Sequence, residues 1–554
     1  MNPLLLVDSY KIHHTKMYPD GMTKLYSNFT PRKSRIEGIN AVVVFGLQHF
    51  ILEYLIKQFN ENFFGPTPIS RRDYPQLSKD FKDNLITEYQ RHCNVDTKHI
   101  EDLWDLGYLP IEIKALNEGT LCPIGVPMLT ITNTHPDFAW LVNYLETLIS
   151  CMLWQPITSA TIAYEYKKIL NKYALKTTGT VEGVQWQGHD FSMRGMSSSE
   201  SSILSGMGHL LSFTGTDTIP AIYTLETSYN ATGLIGASVP ATEHSVMCVG
   251  TKESEIETFK RLLDLYPTGI LSVVSDTWDL WKVCTEYLPT LKEQILARDG
   301  KLVIRPDSGD PVDIICGNEK SIIYNDNIDI TQRVNWTKVD LGNGFPAKWL
   351  VCKGIVYEIS TNTNSSSDVK FIKRSFNPEQ KGVIELLWDT FGGTINKQGY
   401  KVLDSHIGAI YGDAITRERC IEICERLKAK GFASTNIVFG IGSYTYQHNT
   451  RDTFGMAMKA TYGELTRKSI NPATGKEIVI TEAREIFKDP ITDDGTKRSK
   501  KGLLSVLKLP SGKIHCEDQV NWDMEQIGLL KTVFKNGKLV KETTLEEIRK
   551  RLNN

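Results

Sequence analysis

The alternation of apolar and polar residues takes a regular form between residue 181 and about residue 445. Short apolar runs there each end in a polar cluster, and a helical segment often follows. The seven runs and their clusters are VEGVQW with HDFSMRG, LLSFTG with TDT, GASVP with ATEHS, ILSVVS with Asp276, KLVI with RPDSG, HIGAIYG with Asp413, and NIVFGIG with Ser443. We interpret the runs as parallel strands, because the loops after the strands of a β/α barrel converge on the face that carries the chemistry. A doubly wound sheet also binds ligands at its strand ends, but the number of consecutive polar ends favours a closed barrel.

The chain on either side of this region predicts mixed α and β structure. KLYSNF has the composition of a strand, GLQHFILEYLIKQF that of an amphipathic helix, and residues 137–178 that of two helices. Near the other end, Asn536-Gly537 is a hairpin signal. Thr544 and Glu547 have the spacing of a helix capping box.

We therefore expect an α/β protein with an irregular barrel and a second, α+β domain. Residues 1–180 form its N-terminal segment, residues 181–445 the catalytic barrel, and residues 446–554 a C-terminal segment that packs with the N-terminal one. The 105 residues between Asp307 and Asp413 exceed what one crossover helix needs, which predicts an inserted β-rich module at about 318–385.

Composition narrows the class of protein further. The chain of 554 residues is too long for one compact core. Its 63 basic and 65 acidic residues nearly cancel, so we expect neither a nucleic-acid nor a membrane partner. No apolar run is long enough to cross a bilayer. Ten cysteines lie scattered without metal-ligand spacing, which is typical of reduced thiols in a cytoplasmic protein.

The segment RPDSGDP, residues 305–311, contains three kinds of ligand-binding group in one turn. Arg305 can clamp a phosphate, Asp307 can hold ribose hydroxyls or Mg²⁺, and exposed N–H groups can take a phosphate oxygen. The same residues are also typical of an ordinary β-turn. Asp276 and Asp413 end neighbouring runs; each fits a helix N-cap, but three carboxylates on one face favour Mg²⁺ or a sugar.

Aromatic, basic and acidic side chains at the other run ends suit a flat ring beside a phosphate. Phe191 and Arg194 fit such a ring, although a core phenylalanine and a surface arginine fit the pattern as well. Asp217 can accept a hydrogen bond from an amide or cap the next helix. His244 is predicted at the barrel mouth, where Asp276 can orient its ring, and a structural histidine is the alternative.

Two basic elements remain. Arg451, after the glycine-containing turn at 440–443, fits a 5′-phosphate site. The run KRSKKG at 497–502 can bind pyrophosphate, although charge runs are usually solvated.

The polar clusters and their flanking residues form a series of motifs: HDFSMRG, FTGTDT, SVPATEHS, SVVSDTWD, IRPDSGDP, IYGD and the FKDP…KRSKKG pair. Together they resemble the motifs of the nicotinamide phosphoribosyltransferases, which are type II phosphoribosyltransferases related to the nicotinate enzymes. DSYKIHHTKMYP near the start and VFKNGK near the end are similar to that family as well. The resemblance runs from about residue 6 to about residue 550, apart from the insertion.

This resemblance implies a homodimer with shared active sites that converts nicotinamide and phosphoribosyl pyrophosphate to nicotinamide mononucleotide and pyrophosphate in NAD salvage. It implies Mg²⁺ as cofactor, held by Asp276 and Asp307, and ATP as a hydrolysed activator that phosphorylates His244. The catalytic residues would be His244, Asp276 and Asp307. The substrate-binding residues would be Tyr10 from the partner subunit, Phe191, Arg194, Asp217, Ser272, Arg305, Gly412, Asp413, Ser443 and Arg451, with Arg32, Lys459 and Lys488 of the partner subunit on phosphate.

Three departures and three alternatives accompany the resemblance. Ser443 and Tyr444 stand where familiar members have glycines, Leu503 stands where an arginine is common, and shorter members lack the insertion. A nicotinate phosphoribosyltransferase would share the fold, but the anion at Asp217 would repel an acid substrate. A glycoside hydrolase needs paired carboxylates, and the arginines here suit phosphates better. A non-catalytic relative is disfavoured, because every expected catalytic position is filled.

Overall fold

The computed structural model describes residues 1–65, 72–330, 334–335, 348–362, 365–412, 414–488, 491–492 and 500–553. Within these residues, no helix combines the length and the apolar character that crossing a bilayer requires.

The centre of the molecule is a six-stranded parallel sheet. In spatial order its strands are Gly215–Thr216, Gly188–Asp190, Ile437–Ile441, Ile407–Tyr411, Asp299–Arg305 and Thr268–Val274. The strand at Ile407–Tyr411 is buried at every position, as a strand covered on both faces must be.

The segment at residues 237–242 links the two edges of this sheet. Ala237 forms a parallel bridge with Gly215 at one edge, and Ala241 forms one with Ser272 at the other. The N–H of Thr242 donates to the carbonyl of Ser272 at 3.0 Å. Because this segment pairs at one residue on each side, the ring is completed irregularly, and the predicted irregular β/α barrel is confirmed.

The predicted strand GASVP is no regular strand and pairs only through the isolated bridges described above. Two further predicted strands are wrong in their bounds. VEGVQW holds a 3₁₀ helix at Val184–Trp186, and the barrel strand starts only at Gly188. In LLSFTG, the apolar residues follow the helix Ser199–His209, and only Gly215–Thr216 pairs as a strand. Short apolar runs do not distinguish the end of a buried helix from a buried strand.

A second, antiparallel sheet combines strands from both ends of the chain. Its seven strands, in spatial order, are Glu477–Glu485, Met456–Ile470, Met22–Pro31, Leu129–Asn133, Ile111–Ala115, Lys531–Lys535 and Lys538–Leu539. The hairpin predicted at Asn536-Gly537 is confirmed, because both residues have positive φ, at 49° and 78°. The capping box is confirmed as well: the N–H of Glu547 donates to Thr544 Oγ1 at 3.2 Å, and the Thr544 N–H donates to Glu547 Oε2 at 3.5 Å.

The helix Glu146–Thr178 connects the two layers. Leu148 and Leu153 in its first half lie in the core of the antiparallel sheet, whereas Tyr166 and Leu170 in its second half lie in the core of the barrel. A smaller five-stranded sheet lies between the barrel strands Asp299–Arg305 and Ile407–Tyr411 in the chain; its strands are Ile322–Tyr324, Trp349–Cys352, Ile355–Asn362, Ser365–Lys373 and Val334–Asn335. Short two-stranded pairs are Ala41–Val43 with Leu121–Pro123, Gly393–Ile395 with Lys401–Leu403, and Leu503–Lys508 with Ile514–Val520.

The remaining α-helices of at least five residues in the described ranges cover the barrel or flank the antiparallel sheet. They are Pro75–Cys93, Lys98–Leu106, Ala139–Tyr144, Ile219–Tyr229, His244–Val249, Glu255–Leu265, Lys292–Leu296, Pro311–Cys316, Val383–Phe391, Arg417–Ala429, Ser443–Gln447, Trp522–Ile527 and Leu545–Asn553. The segment GLQHFILEYLIKQF, predicted as one amphipathic helix, is helical from Leu47, with π-helical turns at Ile51–Lys57 and Asn60–Phe64.

Candidate active site

Asp276 joins the carboxyl ends of two neighbouring barrel strands. Its Oδ2 accepts a hydrogen bond from the backbone N–H of Asp307 at 3.0 Å and another from the hydroxyl of Ser308. Its Oδ1 is buried and has no hydrogen-bond partner among the described residues. A buried carboxylate oxygen without a donor is costly, so this atom is suited to a ligand or a cation.

His244 lies beside this carboxylate. Its Nε2 is 3.6 Å from Asp276 Oδ1, and its side chain is 49% exposed whereas that of Asp276 is 6% exposed. His244 begins the helix His244–Val249, directly after the segment that completes the barrel. The imidazole is therefore open to solvent on one side and faces a fixed anion on the other.

Arg305 ends the barrel strand Asp299–Arg305. One Nη donates to the carbonyl of Thr242 at 2.8 Å, and this bond holds the guanidinium across the mouth. Its Nε is buried without a hydrogen-bond partner among the described residues. The side chain thus keeps donor capacity for a ligand.

Two glycines make room for the ring of Phe191. A Cβ placed on Gly440 would lie 2.5 Å from the ring, and one placed on Gly412 would lie 3.1 Å from it and 3.4 Å from Asp307 Oδ1. Phe191, Gly412 and Asp307 are therefore packed together at the ends of three strands. This arrangement places an aromatic ring next to a carboxylate that can hold ribose hydroxyls.

Asp217 lies on the same rim. Its Oδ1 accepts hydrogen bonds from His189 Nε2 at 2.9 Å and from the hydroxyl of Ser238. Burial alone would raise the pKa of Asp217, but these two hydrogen bonds and the electrostatic effects of His189 and Arg305 outweigh it and lower the pKa. The carboxyl group is therefore ionised at neutral pH.

The other predicted residues of this rim are placed as follows. Ser443 starts the short helix Ser443–Gln447, and its Oγ would lie 2.1 Å from a Cβ on Gly195, next to the exposed Arg194. Ser272 is 5% exposed within its barrel strand. Asp413 lies outside the described residues, as do residues 497–499 of the basic run KRSKKG.

The four basic residues predicted to bind phosphate, the basic cluster, are coupled electrostatically on the same chain. Burial lowers the pKa of Lys459, and the charges of Arg32, Lys488 and Arg451 lower it further, although Glu146 raises it. Arg32 follows the strand that pairs with the strand of Lys459, and its N–H donates to the carbonyl of Gly455 at 3.3 Å. Arg451 thus lies with the three residues that the resemblance assigns to the partner subunit.

Tyr10 lies beside Lys11 and His14. Lys11 forms an ion pair with Glu146 at 2.7 Å and lies 5.3 Å from the centre of the Tyr10 ring. Glu146 also raises the pKa of Lys459, so one carboxylate acts both on Lys11 and on the basic cluster. Tyr10 is 60% exposed and free to contact a ligand or another subunit.

Sequence reasoning missed His189 and Ser238. His189 opens the motif HDFSMRG, and its ring lies 4.7 Å from that of Phe191, in addition to its bond to Asp217. The only signal in the sequence was its place at a strand end beside Phe191. Ser238 carried no signal, because its contact with Asp217 spans 21 residues.

The donor set at the barrel mouth fits Mg²⁺ bound together with a phosphate ligand. Mg²⁺ typically takes one or two carboxylates and keeps waters or substrate phosphates as its other ligands. Asp276 offers an unpartnered buried oxygen, and Asp307 lies on the next strand end. Among the described residues, no three acidic, histidine or cysteine side chains form a metal cluster.

Comparison with known proteins agrees with these features. Residues 186–538 match the sequence model of the nicotinate phosphoribosyltransferase (NAPRTase) family, and residues 2–62 match that of the nicotinamide phosphoribosyltransferase N-terminal domain. Nicotinamide phosphoribosyltransferase of Acinetobacter baylyi is 44% identical over 564 aligned positions, which cover 100% of this chain and 97% of that protein. The protein of the same name from Mycoplasma pneumoniae is 34% identical, with coverages of 86% and 94%. Nicotinate-nucleotide pyrophosphorylase from Pyrococcus furiosus superposes with a TM-score of 0.49 at 14% identity and covers 99% of this chain and 95% of that one.

The family match and the two sequence relatives define the class of protein as a phosphoribosyltransferase, a pentosyltransferase whose transferred pentose is phosphorylated. More particularly, the chain belongs to the nicotinate phosphoribosyltransferase family.

Proposed function

We propose that this protein is a nicotinamide phosphoribosyltransferase of NAD salvage, which forms nicotinamide mononucleotide and pyrophosphate from nicotinamide and phosphoribosyl pyrophosphate. The name of its relatives supports this reaction. The pyridine nitrogen carries its own lone pair, so the reaction needs no general base. The enzyme's task is to hold the ribose and to stabilise charge, which becomes positive on the sugar and negative on the leaving pyrophosphate.

The choice of the amide over the acid rests on Asp217. Its lowered pKa keeps it an anion. His189 contacts both Asp217 and the ring of Phe191, so the anion lies close to that ring. An anion accepts a hydrogen bond from a carboxamide N–H₂ and repels a carboxylate. The family model that covers most of the chain is named for nicotinate, which makes nicotinate phosphoribosyltransferase the second candidate.

The phosphate groups are assigned by charge. Arg305 and Arg194 would face the pyrophosphate, and Asp276 with Asp307 would hold Mg²⁺, which supplies neutralising charge to the leaving group when bound. Gly412, Asp413 and Asp307 would hold the ribose, with Ser272 and Ser443 lining the site. The cluster of Arg32, Arg451, Lys459 and Lys488 would bind the 5′-phosphate across a homodimer interface, together with Tyr10.

His244 is proposed to accept a phosphoryl group from ATP. Its exposed imidazole is open to a nucleotide, and Asp276 stands 3.6 Å from Nε2 to orient the ring. Such a phosphohistidine would couple ATP hydrolysis to tighter substrate binding and would not supply the nucleophile. The ten free cysteines fit a reducing, cytoplasmic compartment.

A product assay with nicotinamide, phosphoribosyl pyrophosphate and Mg²⁺, with and without ATP, tests the proposal. We expect nicotinamide mononucleotide, more of it with ATP, and a kcat/KM for nicotinate lower by at least about tenfold. Asp217→Asn should reduce that preference, because the neutral amide no longer repels the acid. Asp299→Asn, at the opposite end of a barrel strand, is the matched control. A strong preference of the wild type for nicotinate would favour the second candidate.

A further inference from the structure

Asp217 uses its two carboxylate oxygens differently. Both hydrogen bonds that described side chains make to it, from His189 and from Ser238, go to Oδ1. Within the described part of the chain, Oδ2 receives no hydrogen bond, and the side chain is 49% exposed. One oxygen is thus fixed by the protein, while the other keeps its capacity to accept hydrogen bonds on a half-exposed side chain.

His189 is itself held rigidly. Its strand pairs with Gly215 on one side and with Gly440 on the other. A Cβ on Gly215 would lie 2.7 Å from His189 Nδ1, so the imidazole packs directly over that glycine. The centre of its ring lies 4.7 Å from that of Phe191, and the side chain is only 11% exposed. Because the ring is fixed in this way, its hydrogen bond also fixes the position of the Asp217 carboxylate.

The partner of His189 determines which of its ring nitrogens carries a proton. An ionised carboxylate only accepts hydrogen bonds, so Nε2 of His189 must carry the proton that it donates. The hydroxyl of Ser238 supplies the second donor to the same oxygen. Two donors on one oxygen fix the rotation of the carboxyl group, because a turn of the group would break both bonds.

We infer that His189 is a positioning residue which, with Ser238, orients Asp217 so that its free oxygen receives the carboxamide N–H₂ of the substrate. His189 also supports Phe191, so a single imidazole aligns the ring platform with the acceptor. The inference rests on the proposed function, since it assigns to His189 part of the preference for amide over acid. His189 acts through Asp217 and Phe191.

The rival interpretation is that the His189–Asp217 bond only stabilises the barrel. The chain offers a matched control for it in His406, whose Nδ1 is 2.7 Å from Asp404 Oδ1. His406 precedes the strand Ile407–Tyr411 and therefore lies at the end of the barrel opposite to the site. It is a histidine–aspartate pair of the same chemistry with no access to substrate.

The experiment compares His189→Leu, His189→Gln, Ser238→Ala and His406→Leu in the full-length enzyme. Leucine keeps the apolar contact with Phe191 but donates nothing, whereas glutamine restores an N–H donor. For His189→Leu we expect the ratio of kcat/KM for nicotinamide to kcat/KM for nicotinate to fall about tenfold, the loss expected for one hydrogen bond to a charged group. The fall should come from a higher KM for nicotinamide, with kcat within about twofold of wild type.

His189→Gln should recover most of the ratio, Ser238→Ala should lower it in the same direction, and His406→Leu should leave it unchanged. The inference is overturned if the ratio in His189→Leu equals that of the wild type, or if kcat and KM change alike for both substrates. Should His189→Leu fail to fold, Ser238→Ala and His189→Gln decide alone: an unchanged ratio in Ser238→Ala, or a ratio in His189→Gln far below wild type, overturns it. Failure of the proposed function shows separately, as a wild type that forms no nicotinamide mononucleotide.

Discussion

The backbone N–H of Asp307 donates to Oδ2 of Asp276 at 3.0 Å, so one carboxylate fixes the end of the next barrel strand. The second oxygen of Asp276 stays without a hydrogen bond among the described residues and lies 3.6 Å from His244 Nε2. Asp276 therefore links the loop that carries Asp307 to the histidine proposed to take a phosphoryl group. Its structural and chemical roles use different atoms and can be separated by substitution.

Asp276→Asn keeps an oxygen for the Asp307 N–H but removes the charge that faces His244. We expect the variant to fold with a loss of stability of about 1 kcal/mol or less. We expect kcat/KM for phosphoribosyl pyrophosphate to fall at least about tenfold, with stimulation by ATP lost, because both depend on the anion. Steady-state rates with and without ATP, beside a thermal melt, measure the two effects.

Asp279→Asn is the control for that variant. Asp279 lies three residues further along and accepts a hydrogen bond from the N–H of Lys282 at 3.0 Å as a helix N-cap, a position where asparagine serves equally well. Its kinetics should match the wild type. Retained ATP stimulation in Asp276→Asn would contradict the role given to the pair of Asp276 and His244.

Gly440→Ala should displace the ring of Phe191. The added Cβ would lie 2.5 Å from that ring and 2.6 Å from the Cα of Gly412, distances that force the ring or the backbone to shift. We expect KM for nicotinamide to rise about tenfold. We also expect the protein to lose about 1 to 3 kcal/mol of stability, which is the typical cost of overpacking a core. Gly442→Ala, where an added Cβ meets nothing within 4 Å, should do neither. Equal KM values in the two variants would mean that Phe191 does not contact the substrate.

The parts of this site that could be predicted from sequence are those that local pattern encodes. Ile407–Tyr411 is buried throughout, so it appears as an unbroken apolar run, and the polar residue after it marks a strand end. LLSFTG does not form the predicted strand, because its leucines follow a buried helix. The partners of Asp217 could not be predicted, since His189 lies 28 residues before it and Ser238 lies 21 after it. Such contacts depend on which strands become neighbours in the ring.

Mixed dimers test whether the basic cluster serves the partner's site. Asp307→Ala removes a group at the barrel mouth, and Lys459→Met removes one from the cluster of Arg32, Arg451, Lys459 and Lys488. Each variant alone should have little activity. If the sites are shared, a hybrid dimer carries both defects in one site and none in the other, so an equal mixture should recover roughly a quarter of wild-type activity.

The recovery is measured after the two variants are unfolded together and refolded, with each variant refolded alone as control. If the cluster served the barrel of its own chain, every site in the mixture would carry one defect. The mixture would then be as inactive as its components, and the assignment of Arg32, Lys459 and Lys488 to the partner's site would be wrong.

Glu118 gives the fold a dependence on pH that is separate from the active site. Burial raises its pKa to about 7, although N–H groups of Gln48 and Gly46 donate to its carboxylate at 2.7 and 3.3 Å. Between the ordinary value of 4.5 and about 7, the folded protein binds more protons at this group than the unfolded chain does. The free energy of unfolding must therefore fall as pH rises through this window. Glu118→Gln removes the ionisation. The difference in unfolding free energy between this variant and the wild type should therefore shift in favour of the variant by about 2 to 3 kcal/mol when the pH is raised from about 5 to about 8.

Denaturant unfolding of both proteins at the two pH values measures this shift, and the exposed Glu182→Gln should show none. A difference between Glu118→Gln and wild type that is the same at both pH values would mean that Glu118 does not titrate in this range.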